Sequence, residues 1–155
     1  MNTDSVAHID LAKIMPHKAP MLLIERIFKN SPEELIAGVS IHKDSFGFEN
    51  GAVPSWFGIE YMAQSIAAYN GLNSPNSGKV EIGFLVGVRN YLVKVKEFHL
   101  GNELEISISP NFIVENSGSF DCKIKMAGQE IAEAIITTYK PDASFIEKLK
   151  GEQHE

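Results

Sequence analysis

From Glu103 onward the chain alternates with a period of two. Leu104, Ile106 and Ile108 fall on one side and Glu103, Glu105 and Ser107 on the other, as in a strand with one buried face. Comparable runs cover 81–95, 102–113, 118–127 and 130–139, with turn candidates at Gly101-Asn102, Asn116-Ser117-Gly118 and Gly128-Gln129 between them. These four runs predict an antiparallel meander. Two earlier runs, Met21 to Lys29 and Glu34 to Ile41, read as strands about a turn at Asn30-Ser31-Pro32. Residues 9–14 predict a short helix begun near Asp10 and ended by Pro16, Lys43 to Ala52 a Gly-containing loop, and Asn73 to Lys79 a linker with Pro75 and Gly78. Past Pro141 the chain predicts a short charged helix at most. The whole reads as one domain over 1–155, with residues 1–20 an N-terminal helix and loop and 142–155 an exposed tail.

Between the two groups of strands, Val53 to Leu72 breaks the alternation. From Trp56 to Leu72 apolar or small residues go all the way round a helix that has no Lys or Arg, so it is expected to be wrapped on every side. One carboxylate sits in it, Glu60. An enclosed carboxylate costs several kcal/mol unless hydrogen-bonded, paired or protonated, and a raised pKa there suits a proton donor. A carboxylate at a wet helix end or in a structural hydrogen-bond network explains such a residue equally well. Gln64 lies one turn on, on the same face, where it can orient Glu60.

Composition narrows the class of protein without naming its chemistry. The 155 residues are 44% hydrophobic and 22% charged, enough for a sizeable core, and the formal charge of -6 argues against nucleic acid as the main ligand. No membrane span or signal peptide is expected, because no long uncharged apolar run exists and MNTDSVAHID has neither a basic nor an apolar stretch; the cytoplasm is the expected location. The single Cys122 has no Cys partner for a disulfide or metal site and, on one strand face with Phe120, Ile124 and Met126, reads as core filling.

Two strands, one apolar helix and four long antiparallel strands make an α+β plan in which a curved sheet wraps a central helix. The sheet leaves an edge, and a dimer that extends it is the economical solution. The order of elements, with MPHKAPMLLIERI at 15–27, IEYMAQ at 59–64 and IGFLVGVRNYLVKVKEFHLGNELEISI at 82–108, resembles the hot-dog-fold 3-hydroxyacyl-[acyl-carrier-protein] dehydratases. VPSWFGIEYMAQ at 53–64 is most similar to the divergent dehydratase-like subunits of bacterial aryl-polyene biosynthesis.

That resemblance implies a hot-dog fold, a carrier-bound thioester substrate, dimerisation with a like or unlike hot-dog subunit, and neither cofactor nor metal. It also implies roles. Glu60 matches a helix carboxylate that protonates the departing 3-hydroxyl, and Gln64 the glutamine beside it. In the family a loop His from the neighbouring subunit takes the proton α to the thioester carbonyl, leaving a trans-2-enoyl thioester. The segment Pro54, Ser55, Trp56, Phe57 and Gly58 would bind the thioester, the N–H groups of its residues after the proline turned to the thioester oxygen. The chain departs from the family at the base: its place falls on Phe46, and no His occurs in DSFGFENGAVP. Ser55-Trp56 also replaces the family's Gly-Val. His17 and His42 are the candidates to substitute within the chain, whereas His8, His99 and His154 read as loop or tail.

Three functions follow. A hot-dog partner brings the missing His to Glu60; or the chain is a non-catalytic scaffold or docking subunit; or Glu60 activates water in an acyl thioesterase, which needs no His. Docking of an acidic acyl carrier protein calls for a basic patch, and Arg89 with Lys94 and Lys96, expected to alternate onto one strand face, supplies it. Arg26 is expected to pair with a carboxylate.

Overall fold

The structure, a computed structural model, describes residues 10–73, 84–139 and 151, with the backbone alone at 84–86. The expected linker beyond Asn73, the start of the strand expected at 81, the tail, His8 and His154 lie outside the described residues. A four-residue helix α1 (Leu11–Ile14) is capped by Asp10, whose carboxylate accepts the Ala12 N–H at 3.2 Å. Strands β1 (Arg26–Asn30) and β2 (Leu35–Ser40) follow, then β3 (Ala52–Pro54), the long helix α2 (Phe57–Asn73), β4 (Phe84–Val93), β5 (Glu97–His99), β6 (Glu103–Val114), β7 (Ser117–Met126) and β8 (Gln129–Tyr139).

Six strands form one antiparallel sheet in the order β1-β2-β6-β7-β8-β4, and β3 pairs with β5 alone. Three of the four expected meander strands are consecutive neighbours. The fourth, β4, is not beside β6: it joins the far edge along β8, because the chain between β4 and β6 is spent on β5. The first expected strand also begins late, at Arg26. Around the β7–β8 turn, Ala127 and Gly128 take φ of +51° and +79°, the handedness a tight hairpin turn requires.

Alternation decides the core. Leu104, Ile106 and Ile108 of β6, Phe120, Cys122 and Ile124 of β7, and Ala132, Ala134 and Ile136 of β8 are buried, each large aliphatic or aromatic side chain worth about 1.5–3 kcal/mol. Burial pushes the Cys122 thiol up to about 12, in keeping with core filling. α2 lies over β6 and β2 and buries Tyr61, Met62, Gln64, Ile66, Ala68 and Tyr69. Its cover is incomplete. Trp56 is 67% exposed, and Ile59, Glu60, Ala63, Ala67 and Asn70 are only partly buried, so one stripe of α2 faces out. A wrapped helix was expected; apolar residues all round record what each face tolerates, not that the same chain covers it.

Gly71 of α2 packs so tightly on α1 that a Cβ there would collide with the Ile14 carbonyl. Backbone cannot swing away as a side chain can. Gly71→Ala is therefore expected to cost about 1–3 kcal/mol by overpacking, exceeding the roughly 1 kcal/mol of helix propensity gained, and a lowered denaturation midpoint checks it.

Candidate active site

Gln64 organises the site. It is fully buried, and its Oε1 accepts the backbone N–H of Leu23 at 2.7 Å and of Ile24 at 3.4 Å. Those donors fix the amide orientation, because an N–H can only bond the oxygen. The Nε2 group therefore points the other way, donating to the Met21 carbonyl at 2.7 Å and to Glu60 Oε1 at 3.1 Å. Glu60 Oε2 makes no hydrogen bond among the described residues. The Glu60 side chain is 42% exposed, which corrects the expected enclosure: it stands on the open stripe of α2.

His17 is the imidazole that the fold brings to Glu60. Its Nε2 lies 3.8 Å from Glu60 Oε1, beyond hydrogen-bond length, and its Nδ1 is buried without a partner among the described residues. The bond on the far nitrogen selects the tautomer of a working histidine, and here none is made. His42 goes elsewhere. Its Nε2 is 3.5 Å from Glu25 Oε1, which also accepts the Ser40 N–H at 3.1 Å. The pair borders a cavity of about 110 Å³ lined by Leu22, Phe46 and Tyr61, whose hydroxyl pKa is pushed up by burial. His42 and Glu60 are thus not brought together, and His99, expected in a loop, lies on β5.

Residues 54–58 do form one unit at the start of α2. Pro54 ends β3; the Ser55 N–H bonds the Lys96 carbonyl at 3.0 Å, and the Ser55 carbonyl accepts from Gly58 N–H at 3.0 Å and from the Tyr91 hydroxyl at 2.6 Å. Among the described residues the N–H groups of Trp56 and Phe57 have no hydrogen-bond partner, as is usual in a first helical turn. Trp56 stacks on Phe57 at 6.3 Å, and Phe57 meets Phe46 edge-on at 5.9 Å. Trp56 and Glu60 are one turn apart on the open stripe. The partnering of β3 with β5 that positions Ser55 escaped the sequence reading; the one signal was Phe98 flanked by Glu97 and His99, a single buried residue between two exposed ones.

Arg89 is exposed on β4, but Lys94 and Lys96 are not on a strand face. They project from the connector between β4 and β5, because the Lys94 N–H closes the last bond to β8 through the Ile131 carbonyl at 2.8 Å, and the chain then turns toward β3. Arg26 pairs with Glu103 at 2.9 Å, as expected, and lies over the Phe28 ring.

Residues 9–150 match the ApeP-like family, described as ApeP dehydratase. The chain belongs to that family. It is 26% identical over 133 residues, 82% of this chain and 88% of the relative, to the 3-hydroxyacyl-[acyl-carrier-protein] dehydratase FabZ of Deinococcus radiodurans. Among solved structures it is similar to the dehydratase heterocomplex ApeI:P from Xenorhabdus doucetiae, with a TM-score of 0.83, 27% identity, and 92% of this chain and 97% of that one covered. Thioesterase superfamily member 2 of zebra fish shares the fold alone, with a TM-score of 0.64 at 11% identity over 84% of this chain and 91% of that one. The hot-dog fold and the dehydratase resemblance are both borne out. Among the described residues no helix is long and apolar enough to cross a membrane, and no three His, Cys, Asp or Glu side chains are grouped to hold a metal ion.

Proposed function

We propose that the chain is a subunit of a cytoplasmic 3-hydroxyacyl-[acyl-carrier-protein] dehydratase of aryl-polyene synthesis, working with a second hot-dog subunit. The observation that carries this is Glu60, held through one oxygen by the pinned Gln64 and otherwise open, one turn from the free Trp56 and Phe57 N–H groups. The thioester oxygen accepts from those N–H groups, so that charge developing on it is stabilised at the positive end of α2. A base takes the α-proton, the pair of the broken C2–H bond forms the C2–C3 double bond, the C3–O bond breaks with its pair left on oxygen, and the Glu60 proton goes to that oxygen so that water leaves. The open stripe of Trp56, Ile59, Glu60, Ala63, Ala67 and Asn70 is the surface the partner covers, drying the site and bringing a His that this chain's loop lacks. An ApeI:P heterocomplex among the similar structures supports partnering of this kind.

A second reading keeps the base in the chain: His17 lies 3.8 Å from Glu60, and its unbonded Nδ1 would have to gain a partner on assembly. The test of the function is the product. The purified complex should convert a 3-hydroxyacyl thioester on its carrier protein to the enoyl thioester, whereas release of the free acid would make the protein a thioesterase, and inactivity a scaffold.

Arg89, Lys94 and Lys96 are proposed to dock the acidic carrier protein. Lys94→Glu with Lys96→Glu is expected to weaken carrier binding about tenfold or more and to flatten its dependence on salt. Turnover of a short pantetheine thioester, which needs no docking, should be unchanged. Equal carrier affinity across a salt series would remove the lysines from the docking surface.

A further inference from the structure

Tyr91 stands where the edge strand β4 is irregular. Arg89 pairs with Ile135 and Leu92 with Glu133, so Asn90 and Tyr91 together share the one place opposite Ala134. Asn90 takes a φ of +54°, a left-handed conformation that Asn adopts more readily than most residues. Bulges of this kind re-aim a side chain. Here the bulge turns Tyr91 off the open edge and in against the core, where its hydroxyl donates to the Ser55 carbonyl at 2.6 Å. The fit extends to Gly58, since a Cβ on that residue would collide with the same Tyr91 oxygen and press tightly on Ile124 Cδ1 at 3.0 Å and on the ring carbon bearing that oxygen at 3.3 Å. Burial raises the hydroxyl pKa to about 12, so at neutral pH it is a donor that keeps its proton.

A trans peptide is planar, with its C=O and N–H pointing opposite ways. The Ser55 carbonyl, held by the Tyr91 hydroxyl and by the Gly58 N–H one turn into α2, therefore points along the helix, and the Trp56 N–H points back off its N-terminal end, where it has no partner among the described residues. The Ser55 N–H, bonded to the Lys96 carbonyl at 3.0 Å, holds the preceding peptide as well. Without the Tyr91 hydroxyl the Ser55 carbonyl keeps only the Gly58 N–H, and the 55–56 peptide is freer to rotate.

We propose that Tyr91 is a positioning residue for dehydration: it locks the Ser55–Trp56 peptide so that the Trp56 N–H faces the thioester carbonyl oxygen while charge develops there. This rests on the dehydratase function proposed above. Tyr91 transfers no proton and touches no reacting atom.

Tyr91→Phe, assayed in the complex with the hot-dog partner, should lower kcat about tenfold. That is less than the roughly 10²–10³ seen when a donor to a developing oxyanion is removed outright, because the N–H is still present but no longer held. KM should stay within about twofold, the signature of an interaction made in the transition state. A saturated acyl-pantetheine thioester with a ¹³C-labelled carbonyl, which cannot eliminate water, gives a readout that does not depend on turnover. Its carbonyl stretch should be lowered on binding to the wild-type complex and move back toward its value in water in Tyr91→Phe. Gly58→Ala should slow the reaction, and adding Tyr91→Phe should recover part of the loss, since the atom that collides is gone.

An unchanged kcat together with an unchanged carbonyl stretch in Tyr91→Phe would leave Tyr91 as ordinary packing. If the wild-type complex dehydrates nothing and yet the stretch shifts and the shift depends on Tyr91, the positioning stands and the dehydratase reading falls. If dehydration is abolished by Glu60→Gln but is indifferent to Tyr91→Phe, the reading stands and the positioning falls.

Discussion

Glu60→Gln, in the complex with the hot-dog partner, is expected to lower kcat for dehydration by about 10²–10⁴-fold, the usual worth of a positioned acid or base. Melting temperature and assembly should hold. The substitution keeps the side chain's length and leaves its oxygen able to accept from Gln64 Nε2, now 3.1 Å from Glu60 Oε1, so the local network loses little. What it removes is the transferable proton. Hydroxide is too poor a leaving group to depart unprotonated, so binding of the 3-hydroxyacyl thioester should survive while conversion stops, and kcat should fall much further than KM changes. The measurement is steady-state turnover beside a melting curve of the same sample. A folded variant that dehydrates within about threefold of wild type would make Glu60 a structural member of the Gln64 network.

Strand alternation was the most legible part of this fold, because Leu104, Ile106 and Ile108 must face the helix and Glu103, Glu105 and Ser107 cannot. The same logic failed where a pattern has no partner written into it. The apolar circumference of α2 was read as full enclosure, yet the stripe through Glu60, Ala63 and Ala67 is left open by its own chain. β3 and β5 are three residues each, too short for a period to register, although their pairing sets the start of α2 through the Ser55 to Lys96 bond. Their presence also moved Lys94 and Lys96 off the strand face and onto a connector.

Of the site, Glu60 and Gln64 were legible because a carboxylate and an amide one turn apart on an apolar helix demand a reason. How Gln64 is pinned was not, since its partners Met21, Leu23 and Ile24 are brought by tertiary packing of a non-repetitive segment. The approach of His17 to Glu60, and the departure of His42 to Glu25, are likewise long-range outcomes. Tyr91 was invisible for a further reason. In strict alternation its direction follows from its neighbours, but the bulge at Asn90 breaks that alternation immediately before it.

The missing base yields the other large effect. The chain alone should not dehydrate a 3-hydroxyacyl thioester, and adding the hot-dog partner should produce activity that Glu60→Gln then removes. In that complex His17→Ala and His42→Ala are expected to leave the rate within about threefold, while replacing the partner's histidine should cost about 10²–10⁴-fold. Geometry is the ground for this order. A base must reach the α-proton within about 3 Å or through one water, and be held there by a bond on its other nitrogen. His17 has Glu60 at 3.8 Å and an unbonded, buried Nδ1, so among the described residues nothing orients its ring. His42 is taken up by Glu25 at 3.5 Å. The loop from Asp44 to Pro54 places Phe46 against Phe57 and contains no His. The comparison that decides is His17→Ala against the partner's histidine variant under identical assembly, checked by mass. A loss of about a hundredfold or more in His17→Ala, with the assembly intact, would place the base in this chain and make the partner's contribution one of cover alone.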